Sequence, residues 1–118
     1  RSISNWILFE HSSDIGHTFT RTNHGTVTRE DAAKLWSFSP LKYADRCKTP
    51  TLFIHSNEDY RCWMGAGISM FTALKLHGCP ARLVLFDKEN HELSRSGRPK
   101  SRIRRMEEIL NWMDQYLK

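Results

Sequence analysis

The clearest pattern in the sequence lies near its end, where apolar residues recur at steps of three and four. This spacing places them on one face of an α-helix. The residues on this face are Ile103, Met106, Leu110, Met113 and Leu117. We therefore predict a long amphipathic helix at the end of the chain, with this apolar face packed into the core.

Two short apolar runs in the second half of the chain predict β-strands. The first covers residues 51–55 after Pro50, and the second covers residues 82–86. Neither run alternates between apolar and polar residues, which is typical of parallel strands covered on both faces. Residues 64–77 between them have the pattern of a helix that stops at Gly78. The inner face of this helix is predicted to carry Met64, Ile68, Phe71 and Leu74.

The order of these elements predicts the topology. A strand, a helix, a second strand and a second helix in succession imply a right-handed crossover between two parallel neighbouring strands. The fold class is therefore α/β, with few parallel strands flanked by helices. Two strands make a thin sheet, and both are apolar enough to require further strands beside them. We expect the sheet to be incomplete.

The first half of the chain has weaker patterns. Residues 1–27 contain one apolar run at residues 6–9 but predict no clear element. Thr28 precedes a segment with acids in its first turn, which predicts that its hydroxyl caps a short helix. Ser39-Pro40 predicts a second helix start, with the serine as cap, and that helix is expected to end near Arg46.

Composition favours one globular domain. The 118 residues are 39% hydrophobic and 11% aromatic, which is enough apolar material for a core. No apolar run reaches about 18 residues and no signal peptide opens the sequence, so we expect a cytoplasmic protein without membrane association. Because the sequence begins with Arg1 rather than Met, we also expect a fragment or a processed product of a longer chain.

The net charge of +5 is concentrated in one basic run near the end of the chain. This run contains Arg95, Arg98, Lys100, Arg102, Arg104 and Arg105. No aromatic residue interrupts it, so a stacking surface for single-stranded nucleic acid is not indicated. A solvated face explains the run best, with phosphate binding, an acidic substrate or intramolecular ion pairs as the alternatives, and nucleic acid is not an expected partner.

The cysteines and histidines do not indicate a metal site. Cys47, Cys62 and Cys79 lack Cys-x-x-Cys spacing, and the six histidines are scattered. An odd number of cysteines without a framework is typical of reduced, intracellular thiols. Cys62 is expected to be a buried, unreactive thiol. We predict neither a metal nor another cofactor.

The candidate catalytic residues lie in the loops that follow the two predicted strands. The first loop contains Asp59, and the second contains His91. Open α/β sheets place catalytic groups at the carboxyl ends of their strands, so the acid and the histidine can meet there. A carboxylate bound to the imidazole fixes its tautomer and stabilises the imidazolium, as a general base requires. Spacing alone leaves ordinary surface loop residues as the alternative.

Several segments resemble one known family. They are residues 39–45 (SPLKYAD), 49–56 (TPTLFIHS), 58–62 (EDYRC), 89–97 (ENHELSRSG) and 104–112 (RRMEEILNW). Together with the opening RSISNW, they resemble bacterial acylaminoacyl peptidases of the prolyl oligopeptidase family. The motifs occur in the family's order, and the resemblance covers nearly the whole chain.

The resemblance implies an α/β-hydrolase fold, with residues 1–118 as the C-terminal part of a peptidase domain. It also implies that Asp59 is the acid and His91 the base of a catalytic triad. Such peptidases release blocked N-terminal residues or dipeptides from short peptides through an acyl-enzyme on serine. They usually carry a β-propeller before the hydrolase domain. The expected partners are therefore a peptide substrate and the missing N-terminal part of the hydrolase domain.

No serine in the chain has the sequence context of the nucleophile. The expected pattern is Gly-x-Ser-x-Gly on a turn between a strand and a helix. Gly67-Ile68-Ser69 begins this way, but Phe71 replaces the last glycine, and the site lies within a predicted helix. Ser94 and Ser96 follow no predicted strand. The oxyanion donors are expected upstream as well, so the chain alone is predicted to have negligible peptidase activity.

The segment after the candidate acid departs from the family's pattern. Residues 63–67, Trp-Met-Gly-Ala-Gly, replace a proline and the start of a helix, and the two glycines are expected to loosen this region. Of the neighbouring residues, His55 is predicted to be packed or hydrogen-bonded. Arg61 is predicted to form an ion pair with Glu58 or Asp87.

Three hypotheses about function stay open. The first is part of a serine peptidase, completed by a serine from elsewhere. The second is a non-catalytic, truncated hydrolase domain that acts in oligomerisation or interaction. The third, a nucleic-acid module, depends on charge alone and predicts binding that weakens steeply with salt. Because the strand at residues 51–55 lacks its central neighbour, we also expect a homo-oligomer formed through this edge.

Overall fold

The structure is a computed structural model and describes all 118 residues. Its elements, in chain order, are the helices and strands α1 Trp6–Ser12, α2 Gly16–His24, α3 Thr28–Ser37, a 3-10 helix Pro40–Arg46, β1 Thr51–Ser56, α4 Met64–Leu76, β2 Ala81–Phe86, α5 Leu93–Ser96 and α6 Pro99–Leu117. Every helix is too short or too polar to traverse a lipid bilayer. The predicted α/β class and the alternation of strand and helix in the second half are confirmed.

The two strands form a parallel sheet. Thr51 lies opposite Ala81 at one end of the pair, and Ser56 lies opposite Phe86 at the other. The chain passes from β1 to β2 through α4. Because the strands run in the same direction, the loops that follow them leave the sheet at the same end, the carboxyl end of both strands.

The core lies between α4, the 3-10 helix and the sheet. Leu74 of α4 packs with Ala44 and Cys79, and Phe53 of β1 covers this cluster from the sheet. Leu74 is 1% exposed, so its predicted place on the inner face of α4 is confirmed. The remaining positions of that predicted face are half-buried.

The N-terminal region, for which the sequence predicted no element, contains α1 and α2. Asn5 caps α1, because its side-chain oxygen accepts hydrogen bonds from the amides of Ile7 and Leu8. An aromatic cluster joins these helices to the end of α3, and its rings belong to Trp6, Phe9, Phe19, His24 and Phe38. At Gly16, a Cβ atom would lie 2.5 Å from the carbonyl oxygen of Phe9, so only glycine allows the two helices this approach.

Of the two predicted caps, the one at Thr28 is wrong, whereas Ser39 occupies the predicted N-cap position but makes no side-chain capping hydrogen bond. Val27 occupies the N-cap of α3, and the hydroxyl of Thr28 instead donates to the carboxylate of Glu10 on α1. Ser39 precedes the predicted short helix, which is a 3-10 helix ending at Arg46. The Ser39 hydroxyl accepts from the amide of Trp6 at 2.9 Å and so joins distant segments rather than capping its own helix.

The helix predicted at the end of the chain is present as α6, but the predicted burial of its apolar face is wrong. Ile103, Met106, Leu110, Met113 and Leu117 are all about half exposed or more, from 48% to 76%. The buried residue of α6 is Glu108, which pairs with Arg82 of β2 and with Arg104. A two-stranded sheet is too narrow to cover the apolar face as well.

An apolar groove runs beside this exposed face. It has a volume of about 740 Å³ and lies between the free side of β1, represented by Leu52 and Ile54, and Ile109, Trp112 and Met113 of α6. β1 pairs with no strand except β2, and on its other edge the carbonyl of Ile54 accepts a hydrogen bond from the amino group of Arg1. An unpaired strand edge next to an exposed apolar helix face favours association with further polypeptide.

We expect the isolated chain to self-associate through this face. Leu110 is 58% exposed on it, and burying one leucine contributes about 1.5 to 3 kcal/mol, so Leu110→Lys should shift the chain toward monomer. Leu76→Lys is the matched control, because Leu76 is 81% exposed at the end of α4, outside the face. Light scattering over a concentration series measures the effect. A wild-type chain that stays monomeric at high concentration would contradict the prediction.

Candidate active site

The carboxylate of Asp59 is held by its own loop. Asp59 follows the carboxyl end of β1, and its side chain is 1% exposed. Its Oδ1 accepts hydrogen bonds from the backbone amides of Arg61 at 3.0 Å and Cys62 at 2.7 Å. These two amides turn the loop back around the acid. They also satisfy part of the hydrogen-bonding capacity that a buried carboxylate requires.

His91 lies directly against this carboxylate. Its Nδ1 is 3.1 Å from Oδ1 and 3.0 Å from Oδ2 of Asp59. A carboxylate only accepts hydrogen bonds when ionised, so Nδ1 carries the proton and Nε2 of the neutral ring carries a lone pair. Nε2 makes no hydrogen bond within the chain, and the His91 side chain is 24% exposed. This arrangement can accept a proton at Nε2.

Backbone and side-chain hydrogen bonds hold the two loops together. The amide of Glu58 donates to the carbonyl of Glu89 at 3.0 Å. Asn57 donates from its side chain to Asp87 at 2.6 Å and accepts from the amide of Lys88 at 2.8 Å. Sequence interpretation missed this role of Asn57, although an asparagine directly after a strand was available as a signal.

An ion pair between a buried carboxylate and an exposed arginine fixes the second loop. Glu89 is 5% exposed, and its carboxylate accepts from Nε of Arg98 at 2.8 Å and from the Arg98 amide at 3.2 Å. These contacts lower the pKa of Glu89 below its ordinary value. Part of the basic run is therefore used in intramolecular ion pairs, which the sequence leaves as an alternative to the favoured solvated face.

A second histidine lies beneath the acid. His55 lies one residue before the end of β1, and its Nε2 donates to the carbonyl oxygen of Cys62 while lying 3.7 Å from Oδ2 of Asp59. Burial lowers the pKa of His55, so the neutral ring is favoured. Its predicted packing is confirmed. A neutral His55 stabilises the acid loop through its hydrogen bond to Cys62. It does not compete with His91 for an ion pair with Asp59.

The predicted ion pairs of Arg61 are wrong. Its guanidinium binds Asp14 in the turn between α1 and α2, at 2.6 Å from Nε and 3.1 Å from the second nitrogen. The amide of Asp14 also donates to the carbonyl of Tyr60 at 2.9 Å. The N-terminal helices are thus docked onto the acid loop. No local signal identifies Asp14, which lies 47 residues away in the chain.

The unusual segment at residues 63–67 still forms the first turn of α4. A Cβ atom on Gly67 would lie 3.0 Å from Nδ1 of His55, so a glycine is needed where α4 crosses this ring. The Trp63 ring instead folds over Gly65. Cys62 is buried, as predicted, and burial raises the pKa of its thiol. Asp59 and His91 are in contact despite the two glycines.

A cavity of about 210 Å³ opens beside the histidine. It is mostly polar, and its walls include His91, Asp59, Ser56, Ser94, Arg1 and Arg105. No serine hydroxyl of the chain lies within hydrogen-bonding distance of His91. Ser69 donates back to the carbonyl of Gly65 inside α4, as expected for a helical serine. The structure also contains no cluster of three side chains that could hold a metal ion.

The sequence of residues 1–118 matches the prolyl oligopeptidase family over its whole length. The chain belongs to this family. It is 46% identical over 117 residues to a protein described as uncharacterized peptidase YuxL of Bacillus subtilis. The matched stretch is 99% of this chain and 18% of that protein. The acylamino-acid-releasing enzyme of Arabidopsis thaliana is 29% identical over 98% of this chain and 14% of its own length.

Solved structures agree with this assignment. The acylaminoacyl peptidase of Pyrococcus horikoshii superposes with a TM-score of 0.90 at 33% identity, over 95% of this chain and 18% of that one. Puromycin hydrolase, at 20% identity and a TM-score of 0.82, shares the fold. The chain therefore has an α/β-hydrolase architecture of few strands, and it spans less than a fifth of these relatives' length. The family and fold implied by the sequence motifs are confirmed.

Two glycine substitutions in the first turn of α4 should have opposite effects. Gly67→Ala places a methyl group against the buried ring of His55, and such overpacking costs about 1 to 3 kcal/mol. In Gly65→Ala the new methyl group meets only the half-exposed Trp63 ring, which can move away. That change should be neutral or stabilising, because alanine has the higher helix propensity. Urea denaturation of both variants tests the pair, and equal effects would contradict it.

The burial of His55 should make the stability of the chain depend on pH. Its pKa in the folded state lies below 6.5, so the unfolded chain binds more protons as the pH falls through 6.5 toward this lower pKa. The free energy of unfolding should therefore decrease over this window and be largest above it. The buried acids with lowered pKa, among them Glu89, stay ionised throughout it.

Urea titrations at about pH 7.5 and about pH 5.5, on either side of the ordinary histidine pKa, measure this effect. His55→Gln should reduce the difference between the two values, whatever its own stability. His24 contributes a slope of the same sign, because burial also lowers its pKa, and it is present in both proteins. An identical pH dependence in wild type and His55→Gln would refute the assignment to His55.

Proposed function

We propose that this chain forms the acid-and-base half of a serine peptidase active site. In this proposal Asp59 is the triad acid, His91 is the general base, and the nucleophilic serine belongs to polypeptide outside residues 1–118. The observation that carries the proposal is the contact of Nδ1 of His91 with the buried carboxylate of Asp59, which leaves Nε2 free. Membership of a family of serine peptidases supports it.

The geometry suggests a role for each group in acyl transfer. Nε2 of His91 takes the proton of the serine hydroxyl as its oxygen attacks the peptide carbonyl carbon, and the imidazolium then gives that proton to the leaving amine. Asp59 keeps its charge and stabilises the imidazolium through Nδ1. A water molecule then attacks the acyl-enzyme, again losing its proton to Nε2, and the serine is regenerated.

We propose peptides as the substrates, with cleavage close to a blocked N-terminus. The relatives that support this include proteins named acylamino-acid-releasing enzyme and acylaminoacyl peptidase. Others are named dipeptidyl-peptidase, which would also process peptides near one end. Residues 1–118 would then be a partial peptidase domain without a nucleophile turn or a propeller. The chain alone should have negligible activity, because none of its serines is placed as a nucleophile and it has no oxyanion donors in suitable positions.

The exposed apolar face of α6 favours a second candidate function. A truncated hydrolase domain could use this face to bind another protein without performing catalysis. The two candidates differ in one requirement, because only the peptidase needs the Asp59–His91 pair to be productive. A test that supplies the missing serine therefore distinguishes them.

A chimera with the Bacillus subtilis relative supplies the missing serine. Residues 1–118 would replace the matching 117-residue stretch of the Bacillus subtilis relative, and labelling by a fluorophosphonate serine probe and hydrolysis of acylated peptides would be measured. His91→Gln and Asp59→Asn should each lower kcat/KM by about 10,000-fold, as loss of the acid does in other Ser-His-Asp triads. The unmodified 118-residue chain should not be labelled.

Matched controls separate the two roles from general damage. Glu58→Gln removes an exposed carboxylate next to Asp59, and His77→Gln removes an exposed imidazole at the end of α4. Both variants should keep the activity of the chimera. If the chimera folds and hydrolyses peptides but tolerates His91→Gln, the peptidase proposal is wrong. If it folds without activity, the non-catalytic alternative is favoured.

A further inference from the structure

Two of the three cysteines meet at the end of the sheet opposite the candidate active site. Sγ of Cys79 lies 4.0 Å from Sγ of Cys47. Cys47 precedes β1, and Cys79 precedes β2, so the parallel strands bring these two segments together. The amide of Thr51 donates to the carbonyl of Pro80 at 3.0 Å, which holds the two strand entrances side by side.

The surroundings of the two thiols direct them toward one another. Both approach the carbonyl oxygen of Thr49, at 3.7 Å from Cys47 and 3.2 Å from Cys79. Cys79 is 5% exposed within the core cluster, whereas Cys47 is half-buried and reachable from solvent. A disulfide needs the sulfur atoms at about 2.05 Å, so closing it from this 4.0 Å contact requires the two side chains to rotate toward each other.

We propose that Cys47 and Cys79 form a dithiol that disulfide-containing oxidants, such as glutathione disulfide, convert to an intrachain disulfide. This modification site is separate from the proposed peptidase function and does not depend on it. The third cysteine, Cys62, belongs to the acid loop at the opposite end of the sheet, so it is not a partner for either thiol.

The chemistry proceeds by two thiol–disulfide exchanges. The Cys47 thiolate attacks one sulfur of the oxidant, forming a mixed disulfide and releasing one small thiolate, which takes up the proton that Cys47 lost. The Cys79 thiol then loses its proton and attacks Sγ of Cys47, and the second small thiolate leaves and is protonated. The protein loses two electrons and two protons, and the oxidant becomes two thiols. Cys47 attacks first because burial and the neighbouring thiol raise the pKa of Cys79.

The bond would clamp the entrances of both strands. It would close a loop between positions that are 32 residues apart, containing β1, the acid loop and α4. Such a cross-link restricts the unfolded chain and should raise Tm by at least about 5 °C. Because it lies at the far end of the sheet, it should leave the contact between Asp59 and His91 unchanged.

The test incubates the full 118-residue chain, and in parallel the chimera described above, with glutathione disulfide under native conditions. Alkylation of the remaining thiols and mass spectrometry of the peptides identify the bond. We expect a Cys47–Cys79 linkage, a mass lower by two hydrogen atoms and an alkylated Cys62. Cys47→Ser and Cys79→Ser should each abolish the linkage, and Cys62→Ser should leave it intact.

Oxidation in concentrated urea gives the decisive comparison. In an unfolded chain, loop-closure entropy favours the shorter loops that involve Cys62 over the Cys47–Cys79 loop. The folded protein should reverse this preference. The proposal is overturned if native oxidation of both proteins yields the urea pattern, mixed disulfides alone or links between chains. Should Cys79→Ser fail to fold, the Cys47→Ser variant still decides the question, because Cys47 is only half-buried.

Discussion

A charged carboxylate buried against the end of a parallel strand is the constraint on which the site depends. Asp59 is removed from solvent, and a buried charge is tolerated only where hydrogen bonds and an opposite charge or dipole compensate for lost hydration. The amides of residues 61 and 62 and the Nδ1 proton of His91 supply that compensation. The two amides belong to the acid's own loop, whereas His91 reaches the acid because β1 and β2 are parallel and adjacent. Arg61 connects this arrangement to the N-terminal helices through Asp14.

Ion pairs between a buried acid and an arginine connect several segments of this fold. Glu89 holds Arg98 beneath the histidine loop, and Glu108 joins α6 to β2 through Arg82. In each case the carboxylate is nearly inaccessible while the guanidinium stays largely in solvent. This distribution limits the desolvation cost, because an arginine side chain can reach a buried acid with its charged group still hydrated. A chain with few fully buried apolar residues is thus held together in part by ion pairs.

The sequence predicted those features that follow from local patterns. The apolar runs gave two parallel strands, and the loops after them identified Asp59 and His91 as neighbours. The exposed face of α6 was not predictable, because periodicity shows that a helix has an apolar side but not whether anything covers it. The partner of Arg61 and the function of Ser39 depend on contacts across long separations, for which the sequence has no local signal.

The polar cavity at His91 and the apolar groove along α6 are on the same side of β1, since Arg1 and Ile54 contribute to the walls of both. A further parallel strand paired with the free edge of β1 would therefore lie next to both the polar cavity and the apolar groove. Its side chains would cover the apolar face of α6, and its carboxyl end would bring the following turn to the cavity beside Nε2 of His91. A nucleophilic serine in α/β-hydrolases occupies such a turn between a strand and a helix. Under the proposed function, one further strand beside β1 would thus account for both the exposed apolar face and the unpaired imidazole nitrogen.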